Sequence, residues 1–88
     1  MTETETLLEF PCQFSIKAIG KTSIQLEAII LDIIRRHCPY PETVTLKERE
    51  SSKGRYTATT ITIEATSKQQ LDAIYQDLSD CPEIMMAL

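Results

Sequence analysis

From residue 10 to residue 18 the chain alternates apolar and polar side chains, and from residue 26 onward its apolar residues recur at helical spacing. Phe10, Cys12, Phe14, Ile16 and Ala18 fall on one side of an extended strand, with Gln13, Ser15 and Lys17 on the other. Gly20 ends that pattern. Leu26, Ile30, Ile33 and Ile34 then share one face of a helix of about four turns, which stops near residue 37 at Arg-His-Cys-Pro-Tyr-Pro. A strand with one apolar side, followed at once by a helix with one apolar stripe, must fold so that the helix covers the strand.

The rest of the chain repeats that logic. Val44 and Leu46 alternate with Thr43, Thr45 and Lys47 as a second strand, Ser51-Ser52-Lys53-Gly54 supplies turn chemistry, and residues 55 to 65 make a third strand. Ile61, Ile63 and Ala65 take the inward parity of that strand, which leaves Tyr56, Thr60, Thr62 and Glu64 on the opposite side. Ser67 and Gln70 have capping-box spacing, as do Thr22 and Gln25 before the first helix. Leu71, Ile74, Tyr75 and Leu78 follow as an amphipathic helix, which Asp80 to Pro82 break. Ile84, Met86 and Leu88 alternate with Met85 and Ala87 as a last short strand. The order βαββαβ predicts an α+β ferredoxin-like sandwich: a four-stranded antiparallel sheet in the order 4-1-3-2, with two helices on one face and the other face left open. The expected core holds Phe14, Ile16, Ile30, Ile33, Ile61, Ile63, Leu71 and Ile74, in a single domain over residues 1–88 with residues 1–6 as a flexible lead.

Composition narrows the function classes. At 88 residues, 42% hydrophobic and 25% charged, there is room for one small core. Nine basic against thirteen acidic residues give a net charge of −4, which opposes loose attraction to nucleic acid or anionic membranes. No apolar run approaches the roughly 18 residues of a membrane span, and the first nine residues lack the basic start of a signal peptide. Cys12, Cys38 and Cys81 form no CxxC pair, which suits reduced thiols and a cytoplasmic setting. The topology puts Cys81 at one end of the sheet and Cys12 and Cys38 at the other, against a shared metal site. Ile24, Ala28 and Leu31 extend the apolar surface of the first helix, from which a weak homodimer is expected.

Enzyme motifs fail on inspection, and none calls for a cofactor. Gly20-Lys21-Thr22 imitates the end of a Walker A loop, but the glycine required at position 15 is Ser15 within a strand. Acylphosphatase chemistry on this layout needs an asparagine, and the sequence has none. His37 has no neighbouring nucleophile and reads as a partly buried residue at a helix C-terminus. RNA binding on the open sheet face is the alternative reading: Lys53-Gly54 precedes Tyr56, yet the positions wanting aromatics hold Arg55 and Thr57. What remains is one end of the sheet, where Lys21, Lys53 and Arg55 converge with the backbone amides at Gly20 and the first helix N-terminus. Gly20, Lys21, Thr22, Ser52, Lys53, Gly54, Arg55 and Tyr56 are therefore the candidate binding residues for a small carboxylate ligand or a protein partner, against the plainer reading of a solvated turn.

The segments Leu-Leu-Glu-Phe-Pro at 7–11, Phe-x-x-Lys-x-x-Gly at 14–20, Arg-His-Cys-Pro at 36–39, Ser-Ser-Lys-Gly-Arg-Tyr at 51–56 and Ile-Thr-Ile-Glu-Ala-Thr at 61–66 resemble the YbeD family of small bacterial proteins, as does Met86-x-Leu88. That resemblance implies an ACT-like regulatory domain, similar to the serine-binding domain of phosphoglycerate dehydrogenase, and a link to lipoate-attachment genes. It implies no catalytic residues.

Overall fold

A computed structural model describes residues 9–39, 41–51 and 53–88; the expected lead at residues 1–6 and Ser52 lie outside the described residues. The elements are β1 (Cys12–Lys21), α1 (Leu26–His37), a short 3-10 turn (Pro41–Thr43), β2 (Thr45–Glu50), β3 (Tyr56–Ala65), α2 (Lys68–Asp80) and β4 (Ile84–Ala87). They form a four-stranded antiparallel sheet in the order β2-β3-β1-β4, the order expected from the connections.

β1 and β3 make the centre because each has an unbroken run of ten residues, paired from Cys12 opposite Ala65 to Lys21 opposite Tyr56. Their inward residues meet in rows: Ile61 lies opposite Ile16, Ile63 opposite Phe14, and Thr59 opposite Ala18. Leu26, Ile30, Ile33 and Ile34 of α1 and Leu71, Ile74 and Leu78 of α2 close over them. Every expected core residue is buried except Phe14, which packs against the core half-buried.

Three expectations at the ends of elements need correction. α1 has 12 residues, nearer three turns than four, because Thr22 does not cap it. The Thr22 amide donates instead to the Arg55 carbonyl at 2.9 Å and its hydroxyl bonds the Thr57 hydroxyl at 2.8 Å, so the chain stays tied to the sheet and the helix begins at Leu26. Gln25 takes the N-cap position without a side-chain bond. Ile24 accordingly stands off the helix in the preceding turn, 98% exposed, and adds nothing to the α1 surface expected to meet a second copy. In β4, Ile84 pairs with Gly20 and Met86 with Ile19, so Met85 is an extra residue in a bulge. The bulge turns Met86 away from the core and brings Ala87, opposite Ala18, toward it.

At the second such spacing the Ser67 cap forms, with the Gln70 side chain reaching back to Thr66 rather than to the Ser67 amide. The Ser67 hydroxyl accepts from the Gln70 amide at 3.1 Å, while the Gln70 side chain accepts from the Thr66 amide at 2.7 Å. No described helix is long and apolar enough to cross a membrane.

Candidate functional site

Residues 22–25, 51, 53–55 and 81–83 gather at one end of the sheet, as the antiparallel connections require. The hairpin is tightly built: the Ser51 carbonyl accepts from the Gly54 amide at 2.9 Å, and the Ser51 amide donates to the Tyr56 carbonyl at 2.8 Å. The Ser51 hydroxyl also accepts from the amides of Arg55 and Tyr56, both at 3.2 Å. Gly54 has φ +67°, a conformation that a β-carbon penalises.

Beside this turn Lys21, Thr22, Gly54, Arg55 and Tyr56 line a depression of about 310 Å³. Five of the eight candidate residues are thus brought together. Lys53 is exposed at the tip of the turn. Gly20 is separate: it lies buried opposite Thr57, and a β-carbon there would sit 2.4 Å from the Glu83 carbonyl oxygen. Its glycine is explained by the close crossing of the 81–83 loop. Thr22 already spends its hydroxyl on Thr57.

Sequence reasoning missed the charges on the open side of the sheet. Strand parity puts Lys47 and Arg49 of β2 and Lys17 and Lys21 of β1 on the same side as Tyr56, Thr60 and Thr62. Glu64 is the one carboxylate among the described residues on that side of the strands, and it sits at the far end, opposite Gln13. Between the cations lies an apolar row of Ala58, Ile19 and Met86. The parity that placed Tyr56 would have found these residues once the register of β2 was known.

The helix side offers different chemistry. A groove of about 640 Å³ between α1 and α2 is lined by Asp32, Arg36, Asp77, Asp80 and Cys81 together with apolar residues of α1. Arg36 pairs with Asp32 at 2.7 Å, and His37 Nε2 lies 2.7 Å from Asp77 Oδ2, so these groups satisfy one another. Burial pushes the Cys38 thiol above its ordinary range, and burial is also the leading cause of the rise at Cys81, which favours inert thiols over thiolate nucleophiles. Among the described residues no group of three or more His, Cys, Asp or Glu side chains is placed to hold a metal ion.

The topology and the uncovered sheet face define a ferredoxin-like α+β plait domain. Within that class the chain belongs to the family described as "Protein of unknown function (DUF493)", whose pattern matches residues 5–88, and this bears out the resemblance to YbeD proteins. The chain is 43% identical over 88 residues to the UPF0250 protein NE1487 of Nitrosomonas europaea, covering 100% of both chains. It is 41% identical over 86 residues to a UPF0250 protein of Chromobacterium violaceum, covering 98% of this chain and 97% of that one. The solution structure of protein HP0495 from H. pylori superposes with a TM-score of 0.75 over 92% of this chain and 85% of that one; at 14% identity the likeness concerns the fold.

Proposed function

We propose that this protein is a non-enzymatic interaction module that captures a carboxylate-bearing ligand at the hairpin end of its sheet. The observation that carries the reading is the depression beside Gly54, where Lys21 and Arg55 stand next to Tyr56 with no carboxylate paired to either cation among the described residues. An arginine fork and a lysine at one rim suit a carboxylate, and a phenol ring gives the rest of a small acid a surface to lie on. The ACT-like regulatory role implied by the family resemblance agrees with such a ligand. We assign the protein to the cytoplasm, a setting supported by three cysteines that are all free thiols.

Amide chemical shifts followed during titration with amino acids, dicarboxylates and lipoic acid test the reading. Saturable shifts should appear at Lys21, Thr22 and Gly54 to Tyr56, and Arg55→Glu should abolish them. Shifts scattered over the surface, or none at millimolar ligand, would exclude this site.

A further inference from the structure

We infer that the open face of the sheet is a docking surface for an acidic polypeptide segment. The inference rests on reading the chain as an interaction module, and it extends that reading from the depression to the whole face.

The first support is how charge is sorted. The chain has an excess of acid, with a net charge of −4, yet strand parity puts Lys17, Lys21, Lys47 and Arg49 on the open side against Glu64 alone among the described residues, with Glu50 at the hairpin rim. β2 makes the sorting explicit, because its alternating Lys-Glu-Arg-Glu run presents Lys47 and Arg49 to the open side and Glu48 and Glu50 to the helix side. All four side chains are exposed, so burial does not force the choice. None of the four cations on the open side is ion-paired among the described residues, although the protein has carboxylates in excess. A basic face on an acidic protein selects against pairing with the same face of a second copy and for an anionic partner.

The second support is the pattern inside the basic frame. Lys47, Thr60 and Lys17 form one row across the strands, which Leu88 continues through paired backbone bonds with Lys17 at 2.8 and 3.0 Å. The next row is Arg49, Ala58, Ile19 and Met86. Met86 is 52% and Leu88 61% exposed, so apolar surface lies between and beside the cations. With strands about 4.8 Å apart, the cations of β2 stand roughly 10 Å from those of β1. That separation exceeds the reach of one small carboxylate and suits several acidic side chains on one backbone, with aliphatic neighbours on Ile19, Ala58 and Met86. Single-stranded nucleic acid fits less well, since stacking of bases calls for aromatic platforms and, among the described residues, the face has Tyr56 alone, at its corner.

The test uses the full chain and a fluorescent peptide of about a dozen residues in which glutamate alternates with leucine. A matched lysine-leucine peptide and poly(U) serve as competitors. The expected result is binding of the glutamate peptide that weakens with salt, with methyl shifts at Ile19, Ala58, Met86 and Leu88. Lys17→Glu with Arg49→Glu should weaken it roughly tenfold at low salt. Should charge reversal unfold the chain by circular dichroism, Lys17→Gln with Arg49→Gln should still weaken binding in the same direction. Both variants leave Lys21 and Arg55 intact, so a failed small-carboxylate site with an intact peptide response separates the two readings. Absent binding, equal binding of the lysine peptide, shifts confined to the helices, or unchanged affinity in folded variants would each overturn the inference. Tighter binding of poly(U) would overturn it in favour of nucleic acid.

Discussion

The side-chain amide of Gln70 donates to the main-chain carbonyl of His37 at 2.8 Å, so the first turn of α2 caps the last turn of α1. The same side chain accepts from the Thr66 amide at 2.7 Å, and Gln70 is buried. One residue therefore satisfies the Thr66 amide just before α2 and an orphan carbonyl at the end of α1. Gln70→Ala should destabilise the domain by about 2 kcal/mol, read as a lower urea midpoint, because both partners lose their bonds. Gln70→Glu keeps the acceptor for Thr66 but sets an anion against the His37 carbonyl. Its loss should match that of Gln70→Ala at neutral pH and shrink as the medium is acidified.

The two glycines should respond differently to the same substitution. A β-carbon on Gly20 meets the backbone oxygen of Glu83 at 2.4 Å and Leu26 Cδ1 at 3.2 Å, and backbone cannot rotate away. Gly20→Ala should cost roughly 2 to 3 kcal/mol, through displacement of the 81–83 loop. Gly54 has open space, its nearest neighbour being Glu50 Oε1 at 3.6 Å, so Gly54→Ala should lose about 1 kcal/mol from the φ of +67° alone. Thermal unfolding of both variants checks the ranking; equal losses would mean that the 81–83 crossing yields easily.

Alkaline pH should weaken the fold through a buried thiol and a half-buried phenol. Desolvation raises Cys38 and Tyr75 above their ordinary values of 9.0 and 10.0. For each group the unfolded chain ionises first, so its contribution to stability is fully present below the ordinary value and is lost as pH rises through the raised one. The urea midpoint should therefore start to fall near the ordinary thiol range. Cys38→Ala with Tyr75→Phe should flatten that fall, and an unchanged alkaline slope would show that other groups set it.

The fold was legible because its signals are local. Alternation in Phe14, Ile16 and Ala18 and helical spacing in Leu26, Ile30, Ile33 and Ile34 survive folding unchanged. Long-range bonds explain what was not legible. Thr22-x-x-Gln25 and Ser67-x-x-Gln70 carry the same spacing, but Arg55 and Thr57, more than thirty residues away, take the amide and hydroxyl of Thr22. The hairpin residues could be named because turn chemistry is local. Lys47 and Arg49 could not be joined to Lys17 until the β2 register was fixed by pairing Thr45 with Thr62 and Lys47 with Thr60.

Thr59 should be the easiest position at which to stabilise the domain. It sits at 0% exposure on the inner side of β3, between Ala18 of β1 and Glu48 of β2, and its hydroxyl has no hydrogen-bond partner among the described residues. Thr57, its neighbour on the same side, shows the contrast, because its hydroxyl is paired with Thr22 at 2.8 Å. Thr59→Val replaces an unpaired buried hydroxyl by a methyl group of similar size and should raise stability by about 1 kcal/mol. Thr59→Ser keeps the hydroxyl and deletes the methyl group, so it should lower stability by a comparable amount, about 1 kcal/mol. Urea midpoints of the two variants bracket the parent if this account holds. A Thr59→Val midpoint at or below the parent would mean that the hydroxyl is paired in solution.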